Sequence, residues 1–77
     1  MPTKTLNQVK TGEEFVCIEI PDLIKAELIR LGICEGNILT CISKIPQGPV
    51  VIRKDLSEIA IGNSYSKQIK VESKNAN

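Results

Sequence analysis

The residues best suited to chemistry are three cysteines, Cys17, Cys34 and Cys41, spaced seventeen and seven positions apart. Thiolates favour soft metal ions. The chain has no histidine and no Cys-x-x-Cys pair to complete a tetrahedral set. An odd count also fails the pattern of a secreted disulfide scaffold. The three thiols therefore read as reduced, small apolar groups; metal ligands stay unassigned and no cofactor is expected.

Other reactive groups have equally plain readings. Paired carboxylates can act as acid and base. Asp22, Glu27 and Glu35, however, fall on a helix cap, a helix surface and a turn, where capping and solvation account for each. The chain has no GxxxxGK or GxGxxG phosphate loop. Arg30 or Arg53 could stabilise phosphoryl-transfer charge in a partner's nucleotide site, but a solvated surface charge is the simpler account. Tyr65 with Lys67 and Lys70 has the chemistry of a base-stacking platform, yet single-strand binders combine several aromatics with a basic groove. The composition is that of a binding module rather than an enzyme.

The elements that position these residues follow from periodicity. Seventy-seven residues make one domain, which buries only about 60–65% of its unfolded surface. The apolar 42% is mostly Ile, Val and Leu, which favours strands. Residues 1–4 and 73–77 read as frayed ends. Leu6 and Val9 suit one helical turn capped near Thr5 and ended by Gly12. Glu14 to Ile20 alternates as a first strand, with Val16, Ile18 and Ile20 assigned inward. Asp22 is the expected N-cap of a helix over residues 23–31, with Ile24, Leu28 and Leu31 on its apolar face. Gly32 supplies the left-handed C-cap, and Ile33 packs back on the helix.

After a turn at Glu35-Gly36-Asn37 comes a second strand over residues 38–44. Leu39 and Cys41 share one face and Ile38, Thr40 and Ile42 the other; the pattern leaves open which is inward. Pro46-Gln47-Gly48-Pro49 reverses the chain, with Gly supplying the conformational freedom. Residues 50–53 are a third strand, Lys54-Asp55 a short connection, and residues 56–61 a fourth, with Ile59 and Ile61 inward. A helical turn near residues 62–66 precedes a fifth strand carrying Ile69 and Val71. The fold class is therefore mainly β: a small, closed Src-homology-3 (SH3)-like barrel of five or so strands, with a short helix between the first two.

The net charge of +1, with both signs interspersed, argues against duplex DNA or an anionic membrane as the main partner. The longest apolar run, Val50-Val51-Ile52, is too short to span a bilayer, and no leader pattern is evident. A cytoplasmic location is expected.

The run Leu28-Ile29-Arg30-Leu31-Gly32-Ile33-Cys34-Glu35-Gly36 resembles the FeoA family of the bacterial ferrous iron uptake system. An apolar helix ends in Leu-Gly, a tight turn and an alternating strand with Leu39 and Cys41 follow, and then comes a turn with Pro46, Gly48 and Pro49. Ile59-Ala60-Ile61 and the closing Ile69-Lys70-Val71 extend the resemblance over nearly the whole chain. Glu35 stands where the family usually has Pro, the second turn is one residue shorter, and charged residues common after the fourth strand are missing around Gly62. The resemblance implies an SH3-like barrel and a partner, the membrane transporter FeoB through its cytoplasmic part. It also implies an association with transition metals such as ferrous iron, because the same domain ends diphtheria-toxin-repressor-type regulators. The alternative function is thus a stand-alone metal-responsive module. The candidate partner surface is Leu23, Lys25, Glu27, Ile29 and Arg30 with the turn Pro46, Gln47, Gly48 and Pro49, since exposed apolar residues can mark contacts. The outer positions Ile38 and Ile42 leave room for a monomer or a weak homo-oligomer.

Overall fold

A computed structural model of the chain describes residues 3–74. Strand β1 (Lys4–Thr5) leads into a 3-10 turn, Leu6–Gln8, which buries Leu6. The Thr5 amide donates to Gln8 Oε1 at 2.9 Å, fixing the turn's start. Then follow β2 (Glu14–Glu19), α1 (Asp22–Arg30), β3 (Ile38–Lys44), β4 (Val50–Lys54), β5 (Ser57–Ile61), a one-turn α2 (Asn63–Ser66) and β6 (Lys70–Ser73).

The six strands form one antiparallel sheet in the order β1-β6-β2-β3-β4-β5. The expected closed barrel of five or so strands is corrected here: the ladder has six strands and is open between β5 and β1 among the described residues. At that gap α2, which follows β5, packs against the 3-10 turn, which follows β1. The ends expected to fray reach the sheet at Lys4, which pairs with Val71, and at Ser73, which pairs with Phe15. Residues 1–2 and 75–77 of those ends lie outside the described residues.

The first strand faces the other way from the expectation. Phe15 and Cys17 are buried, whereas Ile18 is exposed and Val16 half-buried. A bulge between Cys17 and Glu19 inserts one extra residue and flips the alternation, so Ile20 returns to the core. A second bulge lies between Cys41 and Ser43 in β3. The ambiguous second strand is settled by its pairing: Leu39 and Cys41 are buried and Ile38 faces out. Leu56 belongs to the two-residue β4–β5 loop with Asp55, not to the strand, because Lys54 pairs directly with Ser57.

Helix α1 starts one residue early. Pro21 occupies the cap position, and its carbonyl accepts the Ile24 amide at 3.1 Å. Asp22 is thus the first helical residue rather than the N-cap, its carboxylate placed near the positive end of the helix dipole. Ile24 and Leu28 face the core, while Leu31, expected on the same stripe, is 43% exposed. The helix closes on Gly32 at φ +87°, with the Gly32 amide bonded to Ile29 O and the Ile33 amide to Leu28 O. This pair of bonds is a Schellman motif, and it folds Ile33 back into the core, where it is buried.

In the Pro46–Pro49 turn the Gly48 amide donates to Ile45 O at 2.7 Å, and the positive φ falls on Gln47, at 62°. The expectation that Gly48 carries the unusual backbone is corrected: Pro46 then Gln47 make a type II turn. Gly48 sits close to Ile45 instead: a Cβ there would lie 3.1 Å from Ile45 Cβ and Cγ2, so Ile45 would have to shift by a few tenths of an ångström.

Candidate docking surface

At 100° per residue, Ile24 and Leu28 fix the inward side of α1. Leu23, Glu27 and Arg30 then lie along one flank, and Lys25 and Ile29 along the other. Leu23 is 96% exposed and Ile29 55%. Arg30 Nη1 lies 3.7 Å from Glu27 Oε1, so the charged members of the first flank pair with each other. On the second flank Lys25 Nζ lies 3.6 Å from Asp22 Oδ1 and 3.5 Å from Glu35 Oε2.

Glu35 ties the turn after α1 to the chain before it. Its Oε2 accepts the Ile20 amide at 3.0 Å. That backbone hydrogen bond, chiefly, holds its carboxyl below the usual carboxylate range, with Lys25 adding to the effect. Glu35 therefore fixes the entry and exit of α1.

Opposite the helix C-terminus stands the β4–β5 loop. Lys54 Nζ donates to Gly32 O at 2.6 Å, tying the loop to the glycine that terminates the helix. The loop turns at Asp55, with φ 56°, a conformation Asp tolerates. Leu56 at its tip is 99% exposed. Leu31, next to the same Gly32, is also partly exposed, so the C-terminal end of α1 and the loop tip form a leucine-bearing end of the molecule.

The Pro46–Pro49 turn is elsewhere. It caps the Val50 end of β4, whereas α1 meets the Lys54 end. Five residues of strand separate the two ends, roughly 13 Å at the usual rise. The turn borders instead a hollow of about 320 Å³ with Asn7, Lys44 and Asn63. Lys44 is committed there, its ammonium bonded to Asn7 O and Val9 O at 2.8 Å each. The structure thus keeps Leu23, Glu27 and Arg30 together, places Lys25 and Ile29 on another flank, and sets Pro46, Gln47, Gly48 and Pro49 apart. Sequence reasoning passed over Leu56 and Leu31. Strict alternation back from Ile61 and Ile59 already sets Leu56 outward, a signal the inclusion of Leu56 in the strand obscured.

The other candidates for chemistry are dispersed. Tyr65 is half-buried against the core rather than presented as a stacking surface. Arg53 sits on the outer face opposite Thr40. All three cysteines are free thiols: Cys17 and Cys41 are buried and Cys34 is exposed. Burial, then the neighbouring Cys34 and Glu35, pushes the Cys17 thiol up to about 11. Among the described residues no three His, Cys, Asp or Glu side chains converge on a common point, and no helix is long and apolar enough to cross a membrane.

Comparison with known proteins supplies the frame for this surface. The profile of the FeoA domain matches residues 4–73. Among solved structures, an iron uptake regulatory protein (FeoA) superposes with a TM-score of 0.85 at 19% identity, over 95% of this chain and 99% of that one. A FeoA-like protein from Clostridium acetobutylicum gives 0.84 at 21% identity, covering 100% of this chain and 93% of that one. A manganese-dependent transcriptional repressor gives 0.84 at 18% identity over 94% of this chain, which corresponds to 42% of the repressor. Among curated proteins none matches by sequence.

Proposed function

The chain belongs to the FeoA domain family, and from that membership we propose that it is a small cytoplasmic accessory protein of bacterial ferrous iron uptake, docking on the cytoplasmic part of the FeoB transporter and modulating it. The observation that carries the docking mode is the pair of leucines left almost wholly in water, Leu23 and Leu56, at 96% and 99% exposure. Covering one leucine contributes about 1.5–3 kcal/mol. Leu31 and Leu56 lie at the C-terminal end of α1 and Leu23 in its first turn, roughly 12 Å along the helix, so a partner lying along α1 that covers them gains a large share of the roughly 8 kcal/mol of a micromolar complex. The Glu27–Arg30 pair beside Leu23 provides a polar rim. We read the curled ladder, with its gap filled by α2 against the 3-10 turn, as an SH3-like barrel that holds this surface rigid.

The test is binding of the FeoB cytoplasmic domain to the chain carrying Leu23→Asp and Leu56→Asp. Both side chains are free of the core, so the variant folds. At least a tenfold loss of affinity is expected, and unchanged affinity would remove this surface from the account. A second reading, a metal-responsive module, draws on the likeness to the manganese-dependent repressor. Manganous, ferrous or zinc ions added to the isolated chain under reducing conditions would then shift a localised set of amide resonances. A spectrum left unchanged by all three would dismiss that reading.

A further inference from the structure

Cys17 and Cys34 are brought to one place by the turn that follows α1. The Gly36 amide donates to Cys17 O at 2.8 Å, and the Cys17 amide donates to Asn37 O at 3.0 Å. The same turn closes on itself: the Asn37 amide reaches Cys34 O at 3.2 Å, and the Cys34 amide reaches Asn37 Oδ1 at 2.8 Å. Cys34 is thereby folded back beside the strand position that Cys17 occupies. A four-residue turn holds its ends within about 7 Å, and residues across an antiparallel pair lie about 4.5–5.5 Å apart. Disulfides need Cα atoms about 4.4–6.8 Å apart, a separation these two constraints allow. Cys34 is among the groups that raise the Cys17 thiol, after burial, which agrees with that proximity.

The two sulfurs are unequal in access. Cys34 is exposed, its Sγ 3.5 Å from Asn37 Oδ1, while Cys17 is 2% exposed at the edge of the core. Cys41 is fully buried, with its Sγ directed to Ser43 O at 3.8 Å, and takes no part.

We propose that Cys34 and Cys17 form an intramolecular disulfide when the chain meets a hydroperoxide, latching the segment that leaves α1 onto β2. In the first step the exposed Cys34 sulfur attacks the peroxide. The O–O bond breaks, the distal hydroxyl becomes the Cys34 sulfenic acid, and the Cys34 thiol proton passes to the departing oxygen, which leaves as alcohol or water. In the second step the Cys17 sulfur attacks the Cys34 sulfur, the S–O bond breaks, and the Cys17 proton leaves with the hydroxyl as water. The second step requires a brief opening of the turn, since Cys17 is covered and its thiol holds its proton. The latch closes a loop that contains all of α1, and so adds a covalent tie to the one Glu35 already makes between the helix's entry and exit.

Hydrogen peroxide applied to the full reduced chain tests this, with alkylation after unfolding and intact-mass and peptide analysis. The expected product is monomeric, lighter by two hydrogens, with only Cys41 alkylated and residues 17 and 34 in one cross-linked peptide. Cys41→Ser leaves the cross-link in place, and Cys34→Ser abolishes it without disturbing the fold, because the Cys34 side chain lies at the surface. The oxidised chain melts at a higher temperature than the reduced chain, and a thiol reductant reverses the shift. The proposal is overturned if Cys34 advances to sulfinic acid with Cys17 still alkylated, if Cys34 links two copies, or if neither thiol reacts.

Discussion

Gln47 holds a left-handed backbone that costs a non-glycine residue about 1 kcal/mol. Its neighbour Gly48 has no positive φ but has Ile45 against it. The two positions respond oppositely to substitution. Gln47→Gly is expected to leave stability within about 1 kcal/mol of the parent, on the stabilising side, as strain relief exceeds added chain freedom. Gly48→Ala is expected to destabilise by less than about 1 kcal/mol, because Ile45, crowded at 3.1 Å, is 60% exposed and can shift toward solvent. Urea unfolding of the two variants checks both signs. The Pro-x-Gly pattern announced a turn but not its type, because type depends on which residue the flanking strand register leaves at the third position.

Charge at single residues sets the acid response. Burial raises the Glu13 carboxyl. The Lys4 side chain, at 2.7 Å, outweighs it together with the Lys10 amide and the Ser73 hydroxyl, and holds the group below its ordinary range. Glu35 is held low as well. An unfolded chain binds these protons more readily than the folded one. The stability they supply is therefore in place above the ordinary carboxylate range and is lost as pH falls through the lower folded-state values. The urea midpoint is expected to fall between about pH 6 and about pH 3, and Glu13→Gln to flatten that fall. Cys17 acts at the other extreme. Its folded thiol titrates at about 11 rather than 9.0, so the stability it supplies is present below the unfolded value and is lost as pH rises through the folded one. Cys17→Ala removes that alkaline component.

At the scale of elements, α1 was the most legible part of the sequence. Its 3.6-residue pattern, the Leu31-Gly32 ending and the return of Ile33 to the core all follow from local rules, and the structure realises them through the Schellman bonds. Its beginning was less so: Pro21 and Asp22 both suit a helix start, and only the Pro21 carbonyl's bond to Ile24 decides between them. The strands were legible as strands, but the facing of the first was not. A bulge is set by how β2 meets β6, a pairing more than fifty residues apart in the chain, and no local pattern encodes it. The same argument yields a contrast within the helix. Leu28 is fully buried and Leu23 is in water, so Leu28→Ala is expected to cost about 2–5 kcal/mol and Leu23→Ala less than about 0.5 kcal/mol. Thermal unfolding would show the first variant largely melted under conditions where the second is native.

For the whole molecule, the separation of surfaces matters more than any single side chain. The exposed side of α1 and the Pro46–Pro49 turn were expected to form one surface. The length of β4 sets them at opposite ends. Strand length was readable, but not which end of the strand the helix would meet, because that depends on the Lys54–Gly32 contact across the fold. In the proposed docking mode Leu31 and Leu56 mark one end of the surface and Leu23, in the first turn of α1, the other, with the turn left outside it.

The most direct measurement is a heteronuclear titration of the isotopically labelled chain with the FeoB cytoplasmic domain. Shifts concentrated on α1 around Leu23, Glu27, Arg30 and Leu31, and on Lys54 to Leu56, are the predicted result, with Pro46–Pro49 unaffected. Shifts centred on the Pro46–Pro49 turn, or a spectrum unchanged at saturating FeoB, would contradict the account.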